Sequence, residues 1–147
     1  MLDGSQELVE IRNDISEFLK RPLVGTLATL DSDGSPRTRA IWHDWSEQGL
    51  LLFSGTNTRK WQNISNDARV SLCIDDSAVP YKSVILDGTA IRREDQSDLL
   101  FTTVLRMAEK YYGVPEGREF AEFYSTADQE EVALFEIHIT RITSQGF

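Results

Sequence analysis

The 147 residues are 40% apolar and 10% aromatic with four prolines, enough chain to bury one sizeable core in a single domain spanning 1–147, and the composition excludes a disordered or repeat protein. Fifteen Lys and Arg against 24 Asp and Glu give a formal charge of −9, which with no dense basic stripe excludes the cationic footprint that nucleic-acid binding needs. No run reaches the ~20 apolar residues of a membrane span, the first residues lack the basic and apolar regions of a secretory signal, and the lone Cys73 has no internal partner, so a reducing, cytoplasmic setting away from membranes is expected.

Taken in order, residues 6–20 place Leu8, Ile11, Ile15, Phe18 and Leu19 at helical spacing until Arg21-Pro22 stops the pattern. Residues 23–30 read as a strand, residues 31–36 as a turn, and residues 37–45 as a second strand. Ser46-Glu47-Gln48-Gly49 turns the chain into an apolar strand beginning at Leu50, so the first three strands are expected as an antiparallel meander. After a short helix, residues 68–75 and 81–92 alternate as strands, with Gly88 marking a bulge or a close backbone approach. Residues 96–112 read as the longest helix, closed by Gly113 and Pro115; residues 115–131 read as a short helix and a loop, and residues 132–143 as the last strand. Six strands on short turns predict a mainly β (α+β) antiparallel barrel, closed or nearly so, because closure removes exposed edges; the alternative is an open sheet covered by the long helix.

The stretch from Leu50 to Asp67 carries the main functional signal. An apolar strand runs into small polar residues, and Thr58 then caps a helix whose first turn holds Arg59 and Lys60. The helix dipole and the unpaired N–H groups of a first turn favour anions and disfavour cations by roughly 0.3–1 kcal/mol each. A bound phosphate monoester would reverse that sign; the alternative is a solvated helix start with both side chains in water. Arg37 and Arg39 alternate on the second strand and could face the same anion or an acidic substrate, or simply solvent. His43 and His138 have no Cys or carboxylate at ligand spacing, so no metal site is expected.

The ordered set Gly25-Thr26-Leu27-Ala28-Thr29, Asp33-Gly34-Ser35-Pro36, Thr58-Arg59-Lys60, Asp67-Ala68-Arg69-Val70-Ser71-Leu72 and Asp87-Gly88-Thr89-Ala90 resembles the pyridoxamine 5′-phosphate oxidase-like family of FMN-binding split barrels. The resemblance implies a six-stranded split barrel with an N-terminal helix, a short phosphate-binding helix and one longer helix, assembled as a homodimer with FMN between the subunits. It further implies that Arg59 and Lys60 bind the cofactor phosphate with Ser54 and Thr58, and that Phe53 lies along the flavin. Thr38, Arg39, Ala40, Ile41, Trp42 and His43 would face the flavin ring edge, largely through backbone groups, and Ser83 would add a polar contact.

Departures from the family pattern point away from pyridoxamine phosphate as substrate. Ala40 stands where many relatives have proline, His43 stands where the vitamin-processing oxidases have lysine, and their Arg-Leu-x-Pro type ending is missing. The expected function is an FMN-dependent oxidoreductase acting on an unknown small molecule, since the flavin carries the hydride chemistry and needs few catalytic side chains. The alternatives are a deazaflavin-dependent reductase, whose longer anionic tail would call on Arg37, Arg39 and Lys82, or a non-catalytic flavin- or haem-binding protein with His43 or His138 as axial ligand.

Overall fold

The computed structural model describes residues 10–94, 97–125 and 131–147. Residues 6–9 of the first expected helix, residue 96 of the long one and residues 126–130 lie outside the described residues. The first helix, α1 (Asn13–Leu19), buries Ile15, Phe18 and Leu19 at the predicted spacing. Two hairpins follow: β1 (Gly25–Leu30) with β2 (Pro36–Ile41), then β3 (Asp44–Ser46) with β4 (Gly49–Gly55).

The chain next forms α2 (Arg59–Asn66), β5 (Arg69–Asp76), β6 (Lys82–Arg92), α3 (Ser97–Tyr112), α4 (Glu116–Glu122) and β7 (Val132–Gln145). All strand pairs are antiparallel, in the order β2-β1-β5-β6-β7-β4-β3. Among the described residues there are thus seven strands where six were expected, because the stretch predicted as one strand over 37–45 breaks at Trp42-His43. There the backbone bonds to α3 side chains instead of to a neighbouring strand: Lys110 Nζ donates to the His43 carbonyl at 2.7 Å, and the His43 N–H points at the Tyr111 hydroxyl at 3.5 Å.

Both antiparallel pairings of the expected meander form, but the break in its middle strand sends β2 and β4 toward opposite margins of the sheet. Laid flat, six interstrand spacings of ~4.8 Å would hold those margins about 29 Å apart. Ile41 and Asp44, one on each marginal strand, are three residues apart and span ~10 Å at most. The sheet must therefore roll until its margins meet at residues 42–43, which makes it a split barrel.

The barrel interior holds Leu27, Leu52, Leu72, Leu86 and Phe135, with Phe18 and Leu19 of α1 and Trp61 and Ile64 of α2 packed into the same cluster. A second cluster sits outside, where Leu51 and Leu134 meet Leu100 and Val104 of α3 and Ala121 of α4. Because β4 is covered on both faces, its Leu50, Leu51 and Leu52 are all buried, which explains a continuous apolar run in place of alternation. At roughly 1.5–3 kcal/mol per buried leucine, this strand anchors both clusters.

Gly88 fulfils both expectations for it: the β6–β7 register shifts at Asp87/Gly88, and a Cβ there would lie 2.0 Å from the His138 carbonyl oxygen. The last residue, Phe147, packs edge-on against Phe18 at 5.2 Å under the Lys82 ammonium.

Candidate functional site

The turn after β4 delivers Thr58 in extended conformation, and its hydroxyl accepts from the Trp61 N–H at 3.2 Å, capping α2 as predicted. The same hydroxyl donates to the Gly55 carbonyl at 2.9 Å and lies 3.0 Å from Ser54 Oγ. Ser54 is buried, so the serine expected at the phosphate instead braces the turn beneath it. The N–H groups of Arg59 and Lys60 are the first of the helix and have no intrahelical acceptor.

This helix start, with β1 and β2, walls a recess of about 400 Å³ lined by Thr29, Arg37, Thr38, Arg39, Thr58, Arg59, Lys60 and Asn63. Four cations surround it, but they are not equivalent. Arg37 Nε donates to Asp31 Oδ2 at 2.7 Å and Arg59 reaches the same oxygen at 3.5 Å, while Asn63 Nδ2 donates to Asp31 Oδ1 at 2.9 Å. These hydrogen bonds, the Arg37 one foremost, hold the Asp31 carboxyl below its ordinary range. Among the described residues neither Arg39 nor Lys60 forms a salt bridge. Lys60 is half-buried, and burial, with the Arg39 charge beside it, pushes its ammonium below the usual lysine range. An anion brought beside a cation that is partly desolvated and repelled by its neighbour would relieve both penalties.

A second recess, of about 220 Å³, adjoins it along the same strand and is lined by Ala40, Ile41, Trp42, Phe53 and Phe120. No ionisable side chain is among these. Trp42 stacks on Tyr111 at 4.9 Å and meets Phe120 at 5.1 Å, and Phe53 packs against Tyr124 at 5.4 Å, so helices α3 and α4 fix the walls. Strand β2 therefore presents an apolar slot at its Ala40-Ile41 end and cations from Arg37 to Arg39. The arrangement suits a ligand with a planar apolar head and an anionic tail.

Of the residues expected at a cofactor, Thr38, Arg39, Thr58, Arg59 and Lys60 come together in the cationic recess and Ala40, Ile41, Trp42 and Phe53 in the apolar one. Ser83 lies on β6, opposite Asp75 and Gln145, and lines neither. The expectation that the His43 side chain could ligate haem is corrected. Its ring is fully buried, with Nε2 donating to the Leu19 carbonyl at 2.9 Å and Nδ1 3.3 Å from the Tyr111 hydroxyl. Burial, with the Lys110 charge adding, pulls this imidazole down to about 4, so it is neutral at pH 7.

Sequence reasoning missed Asp31, Asn63, Thr29 and Phe120. Only Asn63 carried a local signal, lying four positions after Arg59 on one helical face. Among the described residues no three metal-ligating side chains cluster.

The family model described as pyridoxamine 5′-phosphate oxidase matches residues 11–146. Over 58 residues, 39% of the chain, the sequence is 38% identical to a pyridoxine/pyridoxamine 5′-phosphate oxidase of Shewanella woodyi; the match spans 27% of that protein's length. The fold is shared with a conserved hypothetical protein of Mycobacterium tuberculosis, at TM-score 0.75 and 23% identity over 95% of this chain and 86% of that one. It is also shared with HutZ, a haem storage protein of Vibrio cholerae, at TM-score 0.72 and 20% identity over 95% and 97%.

Proposed function

The chain belongs to the pyridoxamine 5′-phosphate oxidase family, and from that membership and the paired recesses we propose that it is an FMN-dependent oxidoreductase acting on a small planar molecule. The observation that carries the reading is Lys60, half-buried beside Arg39, without a salt bridge among the described residues and at the entrance of a helix. Lys60 and Arg39 bind the phosphate, Arg59 and the first amides of α2 complete its cradle, and Trp42, Phe53 and Phe120 orient the ring. When bound, the flavin supplies hydride transfer, and the surrounding side chains hold it and exclude water from one face.

Residues 36–40 of β2 are exposed on both faces of the strand, an arrangement suited to a second subunit that covers β2 and closes the groove. The substrate in this reading differs from pyridoxamine phosphate, because His43 stands where the vitamin-processing oxidases have lysine and their Arg-Leu-x-Pro type ending is missing.

The test is the spectrum of the purified protein. A flavin absorbance, FMN released on denaturation and oxidation of added NAD(P)H are expected, and combining Arg59→Ala with Lys60→Ala should weaken FMN at least tenfold, about 1.4 kcal/mol. A protein that stays colourless in excess FMN would overturn the proposal, and a bound flavin inert to every donor would leave a carrier in place of an enzyme. A monomer that still binds FMN would refute the shared groove.

A further inference from the structure

A third recess, of about 370 Å³, lies beyond the cationic one and joins it through Arg59 and Asn63; its own rim is formed by Asp31, Asp33, Gln62 and Asn66. The three recesses follow the β1–β2 hairpin in a line: apolar slot at Ala40-Ile41, cations from Arg39 to Arg37, then carboxylates in the turn from Asp31 to Asp33. Strand β2 is six residues long, so at ~3.3 Å per residue slot and turn lie about 17 Å apart, with the cations between them.

Building on the flavin reading above, we propose that Asp31 and Asp33 form a stop for the cofactor's tail, accepting a single terminal phosphate at the cations and rejecting any nucleotide that carries a second phosphate into the turn. Asp31 acts in two ways. It pre-pairs Arg37 and Arg59, fixing those guanidinium groups at the edge of the phosphate cradle while Arg39 and Lys60 remain uncommitted. Its charge, with that of Asp33, also faces the space into which a longer tail continues. A second phosphate there meets Asp31 and Asp33 with Arg59 as the one cation lining that recess among the described residues, where the first met four cations, and like charges brought together in a partly enclosed site are the element that excludes a competitor. Asp31 is a positioning and specificity residue in this scheme and takes no part in electron transfer. The same stop acts against the long anionic tail of a deazaflavin cofactor.

The test compares FMN, FAD and riboflavin binding by flavin fluorescence in the wild type and in the paired variant Asp31→Asn with Asp33→Asn. Asn keeps the size of both side chains and the oxygen of Asp33 that accepts from Ser35, so Asp33→Asn changes charge alone; Asp31 accepts on both oxygens, from Arg37 and from Asn63, so Asp31→Asn also gives up one of those bonds. The wild type should prefer FMN to FAD at least tenfold, and the variant should narrow that ratio at least fivefold, chiefly through tighter FAD, with riboflavin unmoved.

Should the pair fold poorly, Asp33→Asn alone remains usable, since Asp33 is exposed and accepts from the Ser35 N–H and side chain and from its own backbone; it should narrow the ratio at least twofold. Wild-type FAD binding as tight as FMN, or an unchanged ratio in both variants, overturns the stop and leaves the flavin reading standing. Failure of the wild type to bind any flavin overturns both.

Discussion

Replacing Lys60 by methionine separates the cost of the cationic corner from its use. The ammonium is half-buried and next to Arg39, so the cofactor-free protein bears an unfavourable charge that methionine of similar length removes. Because burial lowers the folded pKa below the unfolded lysine value, the penalty is full below the folded pKa and fades as pH rises through it toward 10.5, where the unfolded chain also loses its proton. Cofactor-free Lys60→Met should therefore melt higher than the wild type at pH 7, and the gap should shrink on approach to pH 10.5. Binding should respond in the opposite sense. A hydrogen bond to a charged partner contributes about 1.5–3 kcal/mol, so FMN should bind roughly 10- to 150-fold more weakly. Riboflavin, which lacks the phosphate, should be unaffected. Thermal melts with and without flavin, together with fluorescence titrations of both ligands, read all three effects. A variant that loses stability without flavin and binds FMN normally would refute the assignment of this lysine to an anion.

The other recess should behave in the converse way: Phe120→Ala removes contacts to Trp42, Tyr112 and Tyr124, and FMN and riboflavin should weaken by the same factor, on the order of 1 kcal/mol each. His43, neutral in the core and pulled to about 4, should make the fold lose roughly 3 kcal/mol as pH falls from 6.5 to 4, because the unfolded chain takes up the proton first. His43→Phe should abolish that slope in denaturant titrations, and an unchanged slope would assign it to another group. Gly88→Ala drives a Cβ onto the His138 carbonyl and should cost about 3 kcal/mol or more by urea unfolding; a near-neutral result would mean that β6 and β7 are less closely apposed.

Local readings succeeded where one residue's neighbours in the chain decide its state. Thr58 had to cap a helix because a hydroxyl sits ahead of an apolar face at helical spacing, and Gly88 stood out because a strand interrupts itself with glycine only where space or a bulge demands it. They failed at Trp42-His43. The alternation there continues as a strand, yet Lys110 and Tyr111, 67 and 68 positions away, take its backbone groups and turn the imidazole inward. Phe120 was legible only as one aromatic in a polar segment, and its place over the apolar slot follows from how α4 packs on α3, where Gly117 comes close enough that a Cβ would lie 2.5 Å from the Ala108 backbone.

The amino-acid order alone was enough for the strand and helix periods, the capped α2 with its two misplaced cations, and a family pattern, since all of these rest on contacts within a few residues. Rolling of the sheet, the burial of His43 and the sorting of four cations into two held by Asp31 and two without a salt bridge among the described residues arose only on folding. Each depends on which distant groups share a dry or half-dry space, and desolvation and ion pairing are properties of that space, beyond the reach of spacing along the chain.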